Sequence, residues 1–128
     1  MTTKQYLNQI KRFDVLIENK ASEIEQLRAM ATSITVATDG DRVQTSGDKD
    51  RVGSAVVKIM DKVDKLEALL NDYYIKRDII IRQIEHMPKV EEYRLLFLRY
   101  VGGLKIEEIA EQMNYSIPSV KRIHANSL

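Results

Sequence analysis

Apolar residues recur over residues 6–34 with a seven-residue repeat. One set comprises Ile10, Ile17, Ile24 and Ala31, and a second comprises Tyr6, Phe13, Leu27 and Ile34, with Lys20 in its one polar position. Two apolar positions per heptad form a seam along one side of a helix, as in a coiled coil. The pattern predicts a single helix over residues 3–33, with a length of about 45 Å.

A second seam follows over residues 52–87, in alternating steps of four and three. Arg77 fills its one polar position, and its apolar members are Val52, Val56, Ile59, Val63, Leu66, Leu70, Tyr73, Ile80, Ile84 and Met87. A 3.5-residue period sustained over five heptads predicts a coiled-coil helix. Two interpretations of Lys20 and Arg77 stay open. They fix the helix register, or their long side chains reach water at the edge of the seam.

Residues 35–50 separate the two seams and contain two glycines and four aspartates. This composition predicts a loop that is longer than the usual two- to eight-residue connection of a helical hairpin. A functional role and simple flexibility are both open for this loop. Asp39 and Asp41 match positions one and three of an EF-hand calcium loop. Val43 and Gln44, however, occupy positions five and six, where an oxygen ligand and a glycine are required. We therefore expect no metal site.

Several apolar residues lie off both seams, and they predict an association surface. They are Leu7, Leu16, Met30, Leu69, Tyr74, Ile75, Ile79 and Ile81. Two long helices folded as an antiparallel hairpin bury little by themselves. The apolar surface outside the two seams predicts a homodimer or packing against the C-terminal residues, and we favour the homodimer. The expected domains are an oligomerisation hairpin over residues 1–87 and a second domain over residues 88–128.

The C-terminal domain begins with a third predicted helix. Pro88 ends the second long helix because proline disfavours helical backbone in the residue before it and has no N–H. The third helix is predicted over Val90–Val101, and its inner face is Tyr93, Leu96, Phe97 and Tyr100. Gly102 is expected to adopt the left-handed conformation that closes a helix.

Residues 106–125 then have the pattern of a helix-turn-helix, in which the second helix usually enters the major groove of DNA. Ala110 lies where two crossing helices leave no space for a larger side chain. Asn114 tolerates the left-handed backbone of the turn. Ser116 is expected to cap the second helix near residue 119, and Pro118 falls in the first turn, where its missing N–H costs nothing.

The outward side of this second helix supplies the predicted DNA contacts. Lys121 and Arg122 are its strong donors, suited to guanine edges or phosphates. Ser116 and Ser119 are expected to contact phosphates at the helix N-terminus. The full predicted DNA-binding set is Ser116, Ile117, Pro118, Ser119, Lys121, Arg122, His124 and Ala125. Two amphipathic helices that bind nothing are the alternative interpretation of residues 106–125.

Composition narrows the class of protein. A net charge of +1 indicates that any affinity for DNA is local, with a shallow salt dependence for one protomer. The chain has no cysteine, which excludes disulfides and cysteine-bound metals. Since it shows neither a signal-peptide pattern nor a long apolar run, we expect a cytoplasmic protein without a membrane partner. Local catalytic motifs are missing, so we expect neither an enzyme nor a cofactor.

The segment LFLRYVGGLKIEEIAEQMNYSIPSVKRIH resembles region 4 of bacterial sigma factors, which reads the −35 promoter element. The whole chain, with its opening TTKQYLNQIKR and its DGDRVQTSG stretch, resembles a family of small proteins from phages and prophages of Gram-positive bacteria. These are similar to phage late-operon activators and autolysin-regulatory proteins. The resemblance implies that Lys121 and Arg122 contact DNA and that Ser116 caps the recognition helix. Lys105 stands where the family usually has a capping Ser or Thr, a loss of about 1 kcal/mol.

Three hypotheses of function follow. The first is a phage-encoded, sigma-region-4-like regulator that binds double-stranded DNA at promoters and contacts or occludes RNA polymerase. The second is an adaptor whose helix-turn-helix binds RNA polymerase or another protein instead of DNA. The third is a small DNA-packaging subunit, since such proteins also join a DNA-binding helical module to a coiled coil.

Overall fold

The structure, a computed structural model, describes residues 1–39 and 46–128 of the chain. These residues form α-helices and one π-helical segment, without any strand, which confirms the all-α class. The elements are α1 (Thr3–Asp39), α2 (Ser46–Glu85), α3 (Val90–Leu96), the π-segment (Phe97–Val101), α4 (Ile106–Met113) and α5 (Ile117–Ser127). Within the described ranges, no helix is long and apolar enough to cross a membrane.

Both long helices extend further than the sequence predicts. The expected loop at residues 35–50 is wrong at its two ends, because α1 continues to Asp39 and α2 begins at Ser46. Thr35 shows why such residues are tolerated in a helix: its hydroxyl donates to the carbonyl oxygen of Ala31 at 3.0 Å, one turn earlier. The centre of the expected loop, residues 40–45, lies outside the described residues.

The contacts of the chain divide it into two compact units. Unit 1 comprises residues 1–15 and 74–128, and unit 2 comprises residues 16–73. The start of α1 therefore packs in the same unit as the helix-turn-helix. The expected division into domains at residues 87 and 88 stays a prediction.

Unit 1 has one hydrophobic core to which every one of its elements contributes. Its buried members are Leu7, Ile10, Ile80, Ile84, Leu95, Leu96, Tyr100, Ile109, Ala110 and Val120. Tyr93 and Phe97 pack against this core only partly buried, whereas Leu95 is fully buried. The third helix thus supplies the support for the helix-turn-helix, as its pattern predicts, with Leu95 as an additional core residue.

The seam of unit 2 is buried at five positions, namely Ile17, Ile24, Ala31, Val63 and Leu66, and half-buried at its other apolar positions. Ile24 of α1 packs with Val63 and Leu66 of α2 in a second, smaller core. An ion pair between Arg28 and Glu67 also joins the two helices. Unit 2 is therefore held together by heptad positions and by an ion pair beside them.

The two seam cations have different partners. In unit 1, Nε of Arg77 donates to a carboxylate oxygen of Asp14 at 2.5 Å, which connects α2 to α1. In unit 2, Nζ of Lys20 lies 3.2 Å from a carboxylate oxygen of Glu23 in the same helix. Arg77 thus makes a contact between α2 and α1, whereas Lys20 pairs within its own helix.

The turn after the π-segment differs from the sequence-based expectation. Gly102 has a right-handed backbone with φ of −80°, and its N–H donates to the carbonyl oxygen of Phe97 at 2.9 Å. Gly103 takes the left-handed conformation instead, with φ of +69°. The assignment of the left-handed cap to Gly102 was wrong because the π-helical turn lengthens the helix end by one residue.

Candidate nucleic-acid interface

Helices α4 and α5 meet through a turn with the geometry that the sequence predicts. Asn114 is left-handed, with φ of 58° and ψ of 40°. The N–H of Tyr115 donates to the carbonyl oxygen of Ala110 at 3.0 Å, which closes α4. Ala110 is itself buried in the core of unit 1. A small residue in the helix and a left-handed asparagine in the turn therefore bring α5 across α4.

The start of α5 is capped by a serine. The backbone N–H of Ser119 donates to Oγ of Ser116 at 3.3 Å, and the N–H of Val120 donates to the Ser116 carbonyl oxygen at 3.0 Å. Pro118, in the first turn, has no N–H. The predicted cap is confirmed. It also means that the amide of Ser119 is already engaged inside the protein.

The start of α4 has only half of this arrangement. A carboxylate oxygen of Glu108 accepts from the backbone N–H of Lys105 at 3.3 Å. The ammonium group of Lys105 has no acceptor and returns no hydrogen bond to the helix. The departure from serine or threonine at this position therefore removes a capping acceptor.

The two faces of α5 are clearly separated. Val120 is completely buried and Ile123 packs against the same core. On the opposite side, Pro118 and Ala125 lie at the centre of the exposed face, with Lys121 and Arg122 on its two flanks, about 100° apart around the helix axis. The exposed members of the predicted set are Ser116, Ile117, Pro118, Lys121, Arg122 and Ala125. This face presents two long cationic donors on either side of small side chains.

Ser119 and His124 differ from these six because they are half-buried. Nε2 of His124 lies 2.8 Å from the hydroxyl oxygen of Tyr100, and the two rings stack with centroids 5.8 Å apart. The structure therefore turns one ring nitrogen of His124 toward the support of the interface.

The environment favours the neutral forms of both side chains. Burial lowers the pKa of His124, and the positive charges of Arg99 and Lys4 lower it further. Burial raises the pKa of Tyr100, with an opposing effect from Arg99. A neutral tyrosine hydroxyl can donate to the unprotonated nitrogen of a neutral imidazole. Near neutral pH the pair is an uncharged hydrogen bond.

Two cations of this region were missed by the sequence analysis. Arg99 donates to the carbonyl oxygen of Leu104 at 2.8 Å and so stabilises the turn before α4. Lys4, at the start of α1, is close enough to His124 to affect its pKa. The available signal was the absence of any acidic residue before Asp14, in a stretch that contains three basic residues.

Comparison with protein families identifies this arrangement. Residues 77–125 match the family Sigma-70, region 4. This segment is a sigma-region-4-like helix-turn-helix, a DNA-binding regulatory type of domain. The match covers less than half of the chain and begins inside α2. No curated protein and no solved structure matches the chain.

The sigma-region-4-like segment thus starts earlier than residue 88. From Arg77 onward, α2 contributes Ile80 and Ile84 to the core on which α4 and α5 rest. The end of the second long helix is structurally part of the helix-turn-helix unit.

Proposed function

We propose that this protein is a phage-encoded regulator of transcription that binds double-stranded DNA at promoters through α5, in the cytoplasm of a bacterial host. The observation that carries the proposal is the exposed face of α5, with Lys121 and Arg122 on its flanks and a core of unit 1 behind it. Within the described part of the chain, neither cation forms an ion pair with a carboxylate. Both are available to base edges and phosphates. The proposal includes neither catalysis nor a cofactor.

The phage origin and the action at promoters rest on the resemblance of the whole chain to small phage and prophage proteins. Regulation requires a contact with RNA polymerase or its occlusion from the promoter. Both modes of regulation begin with the docking of α5 in a major groove.

In-vitro selection from random duplex DNA tests this step. We expect the wild-type protein to enrich one motif and the variant Lys121→Glu/Arg122→Glu to enrich none. The matched control is Lys62→Glu/Lys65→Glu, an identical change of charge at two exposed positions of α2. The proposal fails if the wild-type protein enriches nothing, or if both double variants lose enrichment equally.

A second function is favoured by one observation, the exposure of apolar side chains at the turn of the helix-turn-helix. Tyr115 and Ile117 are 39% and 40% exposed. Exposed aromatic and aliphatic residues are typical anchors of protein interfaces. In this alternative the segment is an adaptor that binds RNA polymerase. Capture of purified polymerase by wild-type protein, lost in Ile117→Ser and retained in Lys121→Glu/Arg122→Glu, is the result that supports the adaptor over the regulator.

We also propose that the protein is a homodimer. Ile75 and Ile79 are one turn apart on α2 and are 51% and 48% exposed. Ile79 also lines a groove with Phe13 of α1. Burying such side chains stabilises an interface by about 1–2 kcal/mol each, since half of the area is still exposed.

Sedimentation equilibrium tests the homodimer. We expect a dimer for the wild-type protein and weaker association for Ile75→Glu/Ile79→Glu. Asn71→Glu, which adds a charge at an exposed polar position of α2, is the control and is expected to stay dimeric. A monomeric wild type rejects the dimer, and a ring of many subunits favours the packaging hypothesis.

A further inference from the structure

The first turns of α1 carry a basic stripe. Lys4 and Lys11 are two turns apart and lie on the same side of the helix, with Asn8 between them. All three side chains are exposed. This stripe lies outside the segment that matches sigma-70 region 4.

The first turn of α1 is held in a defined position. The N–H of Gln5 donates to Oγ1 of Thr2 at 3.1 Å, and the N–H of Thr2 donates to Oε1 of Gln5 at 2.9 Å. This reciprocal capping box stabilises the turn that contains Lys4. The same turn lies beside the end of α5, because Thr3 and Ser127 line a common cavity of unit 1.

Lys4 follows Thr3 in the turn of α1 that shares this cavity with the end of α5. Its charge acts on His124, which is at the border between the buried and exposed faces of that helix. Lys121 precedes His124 by three residues, and residues three apart are neighbours on a helix surface. Lys121 therefore lies on the same flank of α5 as His124, opposite to Arg122, and the first turn of α1 lies at the end of the same helix.

Among the described residues, Lys4 and Lys121 lack a partner of opposite charge. Arg99 and Lys4, the two charges that shift the pKa of His124, are both positive. An extended polyanion alongside α5 would supply the missing negative charge. The phosphate backbone of duplex DNA beside a major groove has this form.

We infer that duplex DNA is held by two helices of this protein, with Lys4 of α1 binding a backbone phosphate next to the groove that α5 enters. The inference rests on the proposed function, since it requires α5 to dock on DNA. It adds a contact from a part of the chain outside the sigma-region-4-like segment. Lys4 contributes affinity without sequence information, because every duplex presents the same phosphates.

The salt dependence of binding tests this contact. On the duplex enriched by the wild-type protein, Lys4→Ala is expected to weaken binding roughly two- to fivefold at moderate salt. The slope of log affinity against log salt concentration should become shallower by about 0.9, the value for one phosphate contact. The motif that Lys4→Ala enriches from random DNA should be unchanged.

Arg12→Ala is the matched control. Arg12 is an exposed cation of the same helix, about 80° around the axis from Lys4 and about 12 Å further along it. Its removal should leave the slope unchanged. Wild-type binding with equal slopes for all three proteins overturns the Lys4 contact alone. A wild-type protein that binds no duplex overturns the proposed function and this inference together.

Discussion

The hydroxyl oxygen of Tyr100, in the π-segment, lies 2.8 Å from Nε2 of His124 near the end of α5. The rings are 19° from parallel, so the hydrogen bond and the stacking act on the same two side chains. Tyr100 is buried in the core of unit 1, and His124 is half-buried. This pair attaches α5 to the core of unit 1.

Removal of the Tyr100 hydroxyl is expected to weaken that attachment. Tyr100→Phe keeps the ring and leaves Nε2 of His124 without its partner, so the free energy of unfolding should fall by about 1 kcal/mol. Urea unfolding followed by circular dichroism measures the difference. Tyr115→Phe, at an exposed tyrosine, is the control and should have no effect. Equal losses for the two variants contradict the structural role of the pair.

The pKa of His124 predicts how stability depends on pH. Burial and two nearby cations hold this pKa below the ordinary value of 6.5 in the folded protein. The unfolded chain therefore binds a proton more readily, and the contribution of His124 to stability is complete above pH 6.5 and is lost as the pH falls toward the folded-state pKa.

Urea unfolding at pH 7.5 and at about pH 5 tests this sign. The wild-type protein should lose more stability on acidification than His124→Gln does. His86→Gln retains His124 and should behave as the wild type. The prediction is wrong if His124→Gln loses as much stability as the wild-type protein.

Substitution by alanine is expected to lower the free energy of unfolding at Gly102 and to raise it at Gly53. A Cβ atom at Gly102 would lie 2.8 Å from the carbonyl oxygen of Leu98, whereas one at Gly53 would meet nothing within 4 Å. Gly102→Ala should lower the free energy of unfolding by about 1–3 kcal/mol, because backbone atoms must move. Gly53→Ala, inside α2, should raise it by about 0.5–1 kcal/mol. Urea unfolding of both variants checks the two signs. A stable Gly102→Ala variant would contradict the close packing of the π-segment.

The cap of α5 gives a prediction that separates hydrogen bonding from side-chain size. Ser116→Ala removes the acceptor of the Ser119 amide and should destabilise α5 by about 1 kcal/mol. Ser116→Asp supplies another acceptor and a charge that is favourable at a helix N-terminus, so it should stay close to the wild type. Hydrogen exchange of the α5 amides is the measurement. Faster exchange in both variants would show that the cap is not the cause.

Local features of this protein follow from the sequence because they depend on residues within one or two turns. The heptad repeats predict the buried positions of α1 and α2, such as Ile24 and Val63. Asn114 and Ser116 predict the turn and the cap of the helix-turn-helix, since both act on backbone groups a few residues away. The spacing of apolar and polar residues along α5 predicts which side of this helix faces outward.

Other features depend on tertiary packing, which no local pattern specifies. The π-helical turn at Phe97–Val101 leaves Gly102 right-handed and is followed by the left-handed Gly103. Tyr100 and His124 are 24 residues apart in the chain and meet only when α5 packs against α3 and the π-segment. Lys4 is more than one hundred residues from Lys121, and the core of unit 1 alone brings α1 to the end of α5. The sequence by itself determined the helices and the turn between α4 and α5. The long-range burial of apolar side chains determined which charged residues lie near α5.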